Sequence, residues 1–311
     1  FGDGKFGEAP GAVGWLIGEE NRGLACMFTM MNAARIMVGM QGLGLAETGY
    51  QVSLGFAKDR LQSRSISGAE KPEAKADPII VHPDVRRMLL RQKAIVEGSR
   101  AMAYMTGLHL DLSHGHSDPA QRQRSDDLVQ LMTPIVKSFL TDEGYHSCDQ
   151  ALQSMGGAGF TQDWPVEQLL RDGRIPRIYE GTNGIQALDL VGRKLTMHNG
   201  RLAHTYLSEM KTMLEDVSNP HHISSAKVFI EKLQETLGGL VIKAAKDPVE
   251  AASAATPLLR MFALTTLAVL WAKMAAQSEV GSTVENYSEA FLSSKRKTAD
   301  HFFRLFQPEM D

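Results

Sequence analysis

A chain of 311 residues with 43% hydrophobic and 22% charged side chains is long enough for two packed domains and apolar enough for a large core. Its formal net charge of −3 argues against a nucleic-acid or membrane-surface protein. Cys26 and Cys148 are too few for a disulfide framework or a cysteine-based zinc site, so reduced thiols and a cytoplasmic protein are expected. No uninterrupted apolar run approaches the roughly 20 residues that span a bilayer, and no membrane span is expected.

Residues 1–19 are glycine-rich and begin with neither Met nor a signal peptide. They hold one short strand-like run, Ala12 to Ile17, before the turn-like Gly-Glu-Glu-Asn-Arg-Gly at 18–23. Residues 1–20 therefore read as the tail of a β domain lying mostly outside the chain. From Leu24 to about Arg60, Met27, Met30, Met31, Ala34, Val38, Gly42, Leu45 and Ala46 recur at spacings of three and four, which predicts a long amphipathic helix. Its small residues, among them Ala34, Gly39, Gly42, Gly44 and Gly49, would let another helix or a flat ligand lie close.

Residues 62–82 are a polar loop without periodicity. Pro83 and Asp84 suit the start of a second helix reaching about Leu112. His114 and His116 lie in a turn with no third ligand cluster nearby, so a solvated loop outweighs a metal site. A third helix is predicted over 120–141, with Pro134 kinking it or marking a junction, and a fourth over 143–155, closed by Gly156 and Gly157. A short helical piece follows at Val166 to Arg171. Long helices joined by short polar turns predict an all-α, up-and-down four-helix bundle over residues 21–198. Helical patterns over 202–216, 223–245, 247–277 and 285–306 make residues 199–311 an additional C-terminal helical domain.

Chemistry concentrates in residues 174–186, Arg-Ile-Pro-Arg-Ile-Tyr-Glu-Gly-Thr-Asn-Gly-Ile-Gln. Glu180 ends a loop and is followed at once by Gly181, Thr182, Asn183 and Gly184. A helix through Ile185, Leu188, Leu190, Val191 and Leu195 follows, with Thr182 or Asn183 as its N-cap and Gly200 near its end. A base could there meet unpaired N–H groups and a backbone that glycine lets a ligand approach. An arbitrary Glu beside a glycine is more often a first-turn carboxylate favoured by the helix dipole. Gly156, Gly157 and Gly159, after Gln153, offer N–H groups and an amide to a phosphate, although Gly-Gly-x-Gly alone is more often a helix C-cap. Arg60 by itself is a basic residue favoured at a helix C-terminus, and Arg35 could simply reach the surface along its stem.

Tyr-Glu-Gly-Thr-Asn-x-Ile-Gln, preceded by Gly-Gly-Ala-Gly-Phe-Thr and Pro-Val-Glu-Gln-Leu-Leu-Arg-Asp, closely resembles the C-terminal helical domain of the acyl-CoA dehydrogenase family. The resemblance implies Glu180 as the base that removes the α proton of an acyl-CoA thioester, with flavin N5 of FAD as hydride acceptor and trans-2-enoyl-CoA as product. It also implies that the backbone N–H of Glu180 and a ribityl hydroxyl of FAD stabilise the developing enolate. A subset of the family carries its base at the position of Ala34, and alanine cannot abstract a proton.

The same resemblance implies FAD contacts at Arg60, Gln153, Gly156, Gly157 and Thr182, and substrate contacts at Asn32, Arg35 and Gly181. Gln153 and the glycines would meet FAD bound mainly by a neighbouring subunit, which implies a homodimer or homotetramer. Ser63 and Arg64 stand where the family has Phe-Gly, and Gly184 where many members have Gln or Glu. An electron-transfer flavoprotein or similar acceptor is the implied partner. The polar loop at 62–82 and the helices after 200 look like the long bacterial branch, whose members include enzymes acting on 3-methylmercaptopropionyl-CoA. The family's N-terminal helical domain and most of its β domain have no counterpart here, so residues 1–311 alone are expected to show little activity. An acyl-CoA oxidase and a non-enzymatic binding or scaffold protein are the alternatives. Some relatives bind DNA through a basic C-terminal domain; residues 199–311 carry 12 Lys and Arg against 13 Asp and Glu, which argues against that.

Overall fold

The computed structural model describes residues 14–244, 246–280 and 287–310. Helices α1 (Gly23–Asp59), α2 (Pro83–Gly115) and α3 (Pro119–Met155) pack on one another as the long struts of the bundle. Proline opens both α2 and α3, where its missing N–H would be unpaired anyway, and the Asp118 carboxylate caps α3 by accepting from Ala120 N at 2.9 Å. The short helices α4 (Gly157–Phe160) and α5 (Val166–Asp172) lead to α6 (Asn183–Asp189), which continues as a π-helical segment, Leu190–Lys194. Then come α7 (Arg201–Glu215), α8 (Pro220–Ala244), α9 (Pro248–Ser253), α10 (Ala255–Val280) and α11 (Glu289–Phe306).

The two helices predicted over 120–141 and 143–155 are one continuous helix, α3. Pro134 removes one ladder donor, but it sits in a stretch buried from Leu131 to Thr141, where packing outweighs that loss. Thr141, Glu143 and Gly144 read as a turn because they are polar or small, yet they are the points at which α3 is fixed. The Thr141 hydroxyl donates to Lys137 O at 2.8 Å, and Glu143 is clamped by Arg91 and Arg260 at 2.9 and 2.7 Å. Gly144 crosses α1 so closely that a Cβ there would stand 2.5 Å from Gly42 O. Gly39, Gly42 and Gly49 of the small-residue stripe on α1 thus accommodate α3.

Helix α2 runs past the predicted end at Leu112 to Gly115, taking His114 into its last turn and leaving His116 as the C-cap. No cluster of His, Cys, Asp and Glu among the described residues could hold a metal ion. Of the strand expected over Ala12 to Ile17, Ala12 and Val13 lie outside the described residues, and 14–17 form neither helix nor strand. The helix expected over 247–277 is divided at Ala254 into α9 and α10.

One hydrophobic core extends from Leu43 and Ala46 on α1 to Phe306 and Met310, crossing residue 199 without interruption. Helix α10 lies at its heart: Trp271 is fully buried and its Nε1 donates to Ala94 O of α2 at 3.1 Å. By length and composition α10 could cross a membrane, although Arg260 and Lys273 interrupt its apolar run. Its most apolar stretch is 78% buried among the other helices, as the central helix of a packed core is.

Candidate active site

Glu180 lies between a single 3-10 turn, Ile175–Arg177, and the start of α6, and is half-buried. Its backbone is left-handed, φ 57°, and Gly181 follows at φ 84°. A left-handed residue other than glycine costs about 1–2 kcal/mol, so the surroundings must hold this turn in place. They do so through its carbonyls. Gln186 Nε2 donates to Glu180 O at 3.2 Å and to Gly181 O at 3.4 Å, and Lys137 Nζ donates to Gly181 O at 2.8 Å. Gly181 is favoured there by its left-handed backbone, and a Cβ would stand 2.6 Å from Gln186 Nε2 and displace that amide from the carbonyls it holds.

Thr182 is the N-cap of α6: its hydroxyl oxygen accepts from Ile185 N at 3.3 Å. Asn183 instead turns inward. Its Oδ1 accepts from Lys137 Nζ at 2.8 Å, and its Nδ2 donates to Ser138 O and Thr141 Oγ1 at 3.2 and 3.0 Å. Arg35 reaches this end of the bundle from α1, faces Asp189 of α6 at 3.8 Å, and would lie 3.7 Å from a Cβ on Gly181. Asn32 is half-buried one turn earlier on α1. Arg35 Nε and Gln186 Oε1 are both buried without a hydrogen-bond partner among the described residues. Tyr179 Oη donates to Gln41 Oε1, which ties the approach to the turn back to α1.

The remaining predicted residues meet elsewhere. Arg60 at the end of α1 and Gln153, Gly156 and Gly157 at the end of α3 line one cleft of about 930 Å³, which Glu180, Thr182 and Arg35 do not line. No carboxylate lines it. The Arg60 guanidinium has no hydrogen bond or ion pair among the described residues, whereas Arg64, also on the cleft, is committed to its own loop. Arg64 donates to Lys71 O at 2.9 Å, to Ala74 O and to Asp77, 3.3 Å away. Hydrogen bonds from Ser65 N and Lys71 N, both at 2.9 Å, hold the Asp77 carboxyl down at about 2. The loop at 62–77 is thus an ordered wall built around one carboxylate. A free guanidinium, a terminal amide and a glycine backbone, with no opposing negative charge, fit the diphosphate of a dinucleotide such as FAD.

Three contributors to the base turn were missed in the sequence: Lys137, Asn183 as an inward-facing hub, and Gln186. The available signal was a lysine inside the otherwise uncharged, largely apolar run Leu131 to Leu140, which requires a distant partner if buried.

Comparisons with known proteins place both halves of the chain. A family model described as acyl-CoA dehydrogenase, C-terminal domain, matches residues 21–196, and one described as acetyl-CoA dehydrogenase C-terminal like matches residues 206–311. Among curated relatives, 3-methylmercaptopropionyl-CoA dehydrogenase of Ruegeria pomeroyi is 38% identical over 95% of this chain and 50% of its own length. A butyryl-CoA dehydrogenase of Syntrophomonas wolfei is 37% identical over 70% of this chain and 36% of its own. The chain thus spans at most about half the length of these relatives. Caenorhabditis elegans ACDH-11, solved in complex with C11-CoA, shares the fold with a TM-score of 0.74 at 19% identity, covering 91% of this chain and 45% of that one. An acyl-CoA dehydrogenase from Bacillus anthracis, complexed with FAD, does so with a TM-score of 0.72 at 19% identity over 94% of this chain and 50% of that one. With both halves matched in order and the Glu180 turn inside the first, the chain belongs to the acyl-CoA dehydrogenase family.

Proposed function

We propose that this chain supplies the base and part of the cofactor site for α,β-dehydrogenation of an acyl-CoA thioester to trans-2-enoyl-CoA. The observation that carries the reading is a carboxylate on a left-handed turn, braced from inside the fold, beside Arg35, whose buried Nε has no hydrogen-bond partner among the described residues. Glu180 takes the α proton from its half-buried place on the turn. Arg35, Asn32 and the open backbone at Gly181 orient the thioester. Thr182, capping through its oxygen, still has its hydroxyl proton to donate to the cofactor. Arg60, Gln153, Gly156 and Gly157 hold the diphosphate side of FAD, which when bound supplies the hydride acceptor.

The 38% identity to 3-methylmercaptopropionyl-CoA dehydrogenase supports short acyl-CoAs, including methylthio-substituted ones, as the substrates to try first. The proposed assembly is a homodimer or homotetramer in the cytoplasm, with an electron-transfer flavoprotein or similar acceptor as partner. Anaerobic bleaching of FAD in the full-length protein by short, long and methylthio acyl-CoAs tests the reading. Bound flavin that no acyl-CoA bleaches would sink it, and stoichiometric hydrogen peroxide release in air would assign an oxidase instead.

A further inference from the structure

Lys137 stands in the middle of α3 and is completely buried. Its ammonium donates to Gly181 O and Asn183 Oδ1, each at 2.8 Å, and no carboxylate among the described residues lies within ion-pair distance. A buried cation held only by neutral acceptors is costly, and an apolar side chain would suit the flanking Ile135, Val136 and Phe139 equally well. What the lysine provides is position. The Gln186 contacts to the Glu180–Gly181 carbonyls are long, at 3.2 and 3.4 Å, whereas the lysine bond is short and charge-assisted. Asn183, its second acceptor, is itself fixed by Ser138 and Thr141, so the ammonium ties the first residue of α6 and the strained turn to one point on α3.

We infer that Lys137 is a positioning residue for the proposed base: from inside the fold its ammonium holds the left-handed Glu180–Gly181 turn, and with it the direction of the Glu180 carboxylate. This rests on the reading of Glu180 as base. Lys137 touches the turn and not the substrate. Its charge can be removed within an accessible pH range. Burial pulls it down to about 8; Asp142 on α3 opposes that shift, Arg35 on α1 adds to it, and Glu180 on the turn opposes it. Asp142 is also paired with Arg177 at 2.5 Å, and Arg35 faces Asp189 at 3.8 Å. Deprotonation leaves a weaker donor, and the turn loosens. Global stability moves the other way. A lysine lowered in the folded state disfavours folding below about 8, and that penalty disappears as pH rises toward the ordinary 10.5. A turn that loosens while this group's effect on global stability improves separates positioning from simple structural support.

The test is hydrogen exchange, corrected for intrinsic rate at each pH, on the FAD-loaded full-length protein, with anaerobic flavin reduction alongside. In wild type, exchange across residues 179–185 should rise about tenfold between about pH 7 and 9 while residues 36–57 stay protected. Lys137→Met should exchange fast in that segment at every pH, retain FAD, and be reduced about 10- to 100-fold more slowly at unchanged KM, with no alkaline limb near pH 8. Lys137→Arg, charged throughout, should recover protection and lose the limb. Flat wild-type exchange across that range, or a Lys137→Met protein with wild-type exchange and rate, overturns the inference; if that variant does not fold, the wild-type pH series decides alone. An active Glu180→Gln protein would overturn both readings. An inactive one beside a normal Lys137→Met removes only the positioning role.

Discussion

The base turn and the Arg60 cleft are built on opposite plans. At the turn, the bonds that shape the backbone are made within the chain: Lys137 and Gln186 on the carbonyls, the Thr182 cap, and Asn183 bonded from three sides. At the cleft, among the described residues, the Arg60 guanidinium has no partner, Gln153 is exposed, and nothing stands within 4 Å of a Cβ placed on Gly156 or Gly157. Folding alone therefore shapes the backbone that carries Glu180, the proposed base. The cleft is left to be completed by what binds it. Substitutions at the turn should change rate and local order, and substitutions at the cleft should change affinity alone.

The largest expected effect is at Glu180. Glu180→Gln removes the proton acceptor while leaving the turn's backbone bonds in place, and should slow flavin reduction by about 10²- to 10⁴-fold with FAD content unchanged, read by stopped-flow absorbance. Loss of FAD along with the rate would show that turn and cleft are not separable and would break the comparison.

Next comes the frame that keeps both places in register. Glu143 on α3 is buried against Arg91 of α2 and Arg260 of α10, so it links the bundle to the C-terminal helices. Burial pushes its carboxyl up, but the two guanidinium groups outweigh that and hold it below the usual 4.5. A lowered carboxylate contributes stability that is present above its unfolded value and lost as pH falls through its folded one. Glu143→Gln leaves the Arg91 guanidinium without a carboxylate and Arg260 with Glu309 alone, and should cost ~3–5 kcal/mol in denaturant unfolding. The variant should also lose the part of the acid-side fall in stability that this carboxylate contributes.

The sequence exposed the turn more fully than its support. Glu180, Gly181 and Thr182 follow local rules, a loop carboxylate, a left-handed glycine and an N-cap, and all three can be read within a window of a few residues. Lys137 lies 44 residues from Gly181 in the chain, and its burial is decided by helix packing that no short window contains. The same limit explains α3. Pro134 and the Thr-Asp-Glu-Gly run at 141–144 have the composition of a break, but Gly144 is there for the crossing with Gly42 and Glu143 for Arg91 and Arg260. Family resemblance supplied the cofactor residues, and the cleft then placed Arg60, Gln153, Gly156 and Gly157 side by side. It did not reveal that Arg64, on the same cleft, spends its donors on its own loop and Asp77.

Arg60 and Arg64 turn that contrast into the finest of the tests. Both line the cleft, four positions apart, and a count of positive charge would treat them alike. Arg60 has its guanidinium free to form charge-assisted bonds, so Arg60→Gln should weaken FAD binding by about 10- to 100-fold, measured by titration of the apoprotein, with no change in its unfolding midpoint. Arg64 already spends its donors on Lys71 O, Ala74 O and the Asp77 carboxylate. Arg64→Gln should change FAD affinity less than about threefold, because exposed charges beside a ligand, when not bonded to it, contribute little at physiological salt. Its effect should instead appear in the loop, as faster proteolysis between residues 64 and 77, where Asp77 keeps its two backbone donors but loses its cation. Equal losses of affinity from the two variants would mean that the cleft reads net charge and not a specific guanidinium.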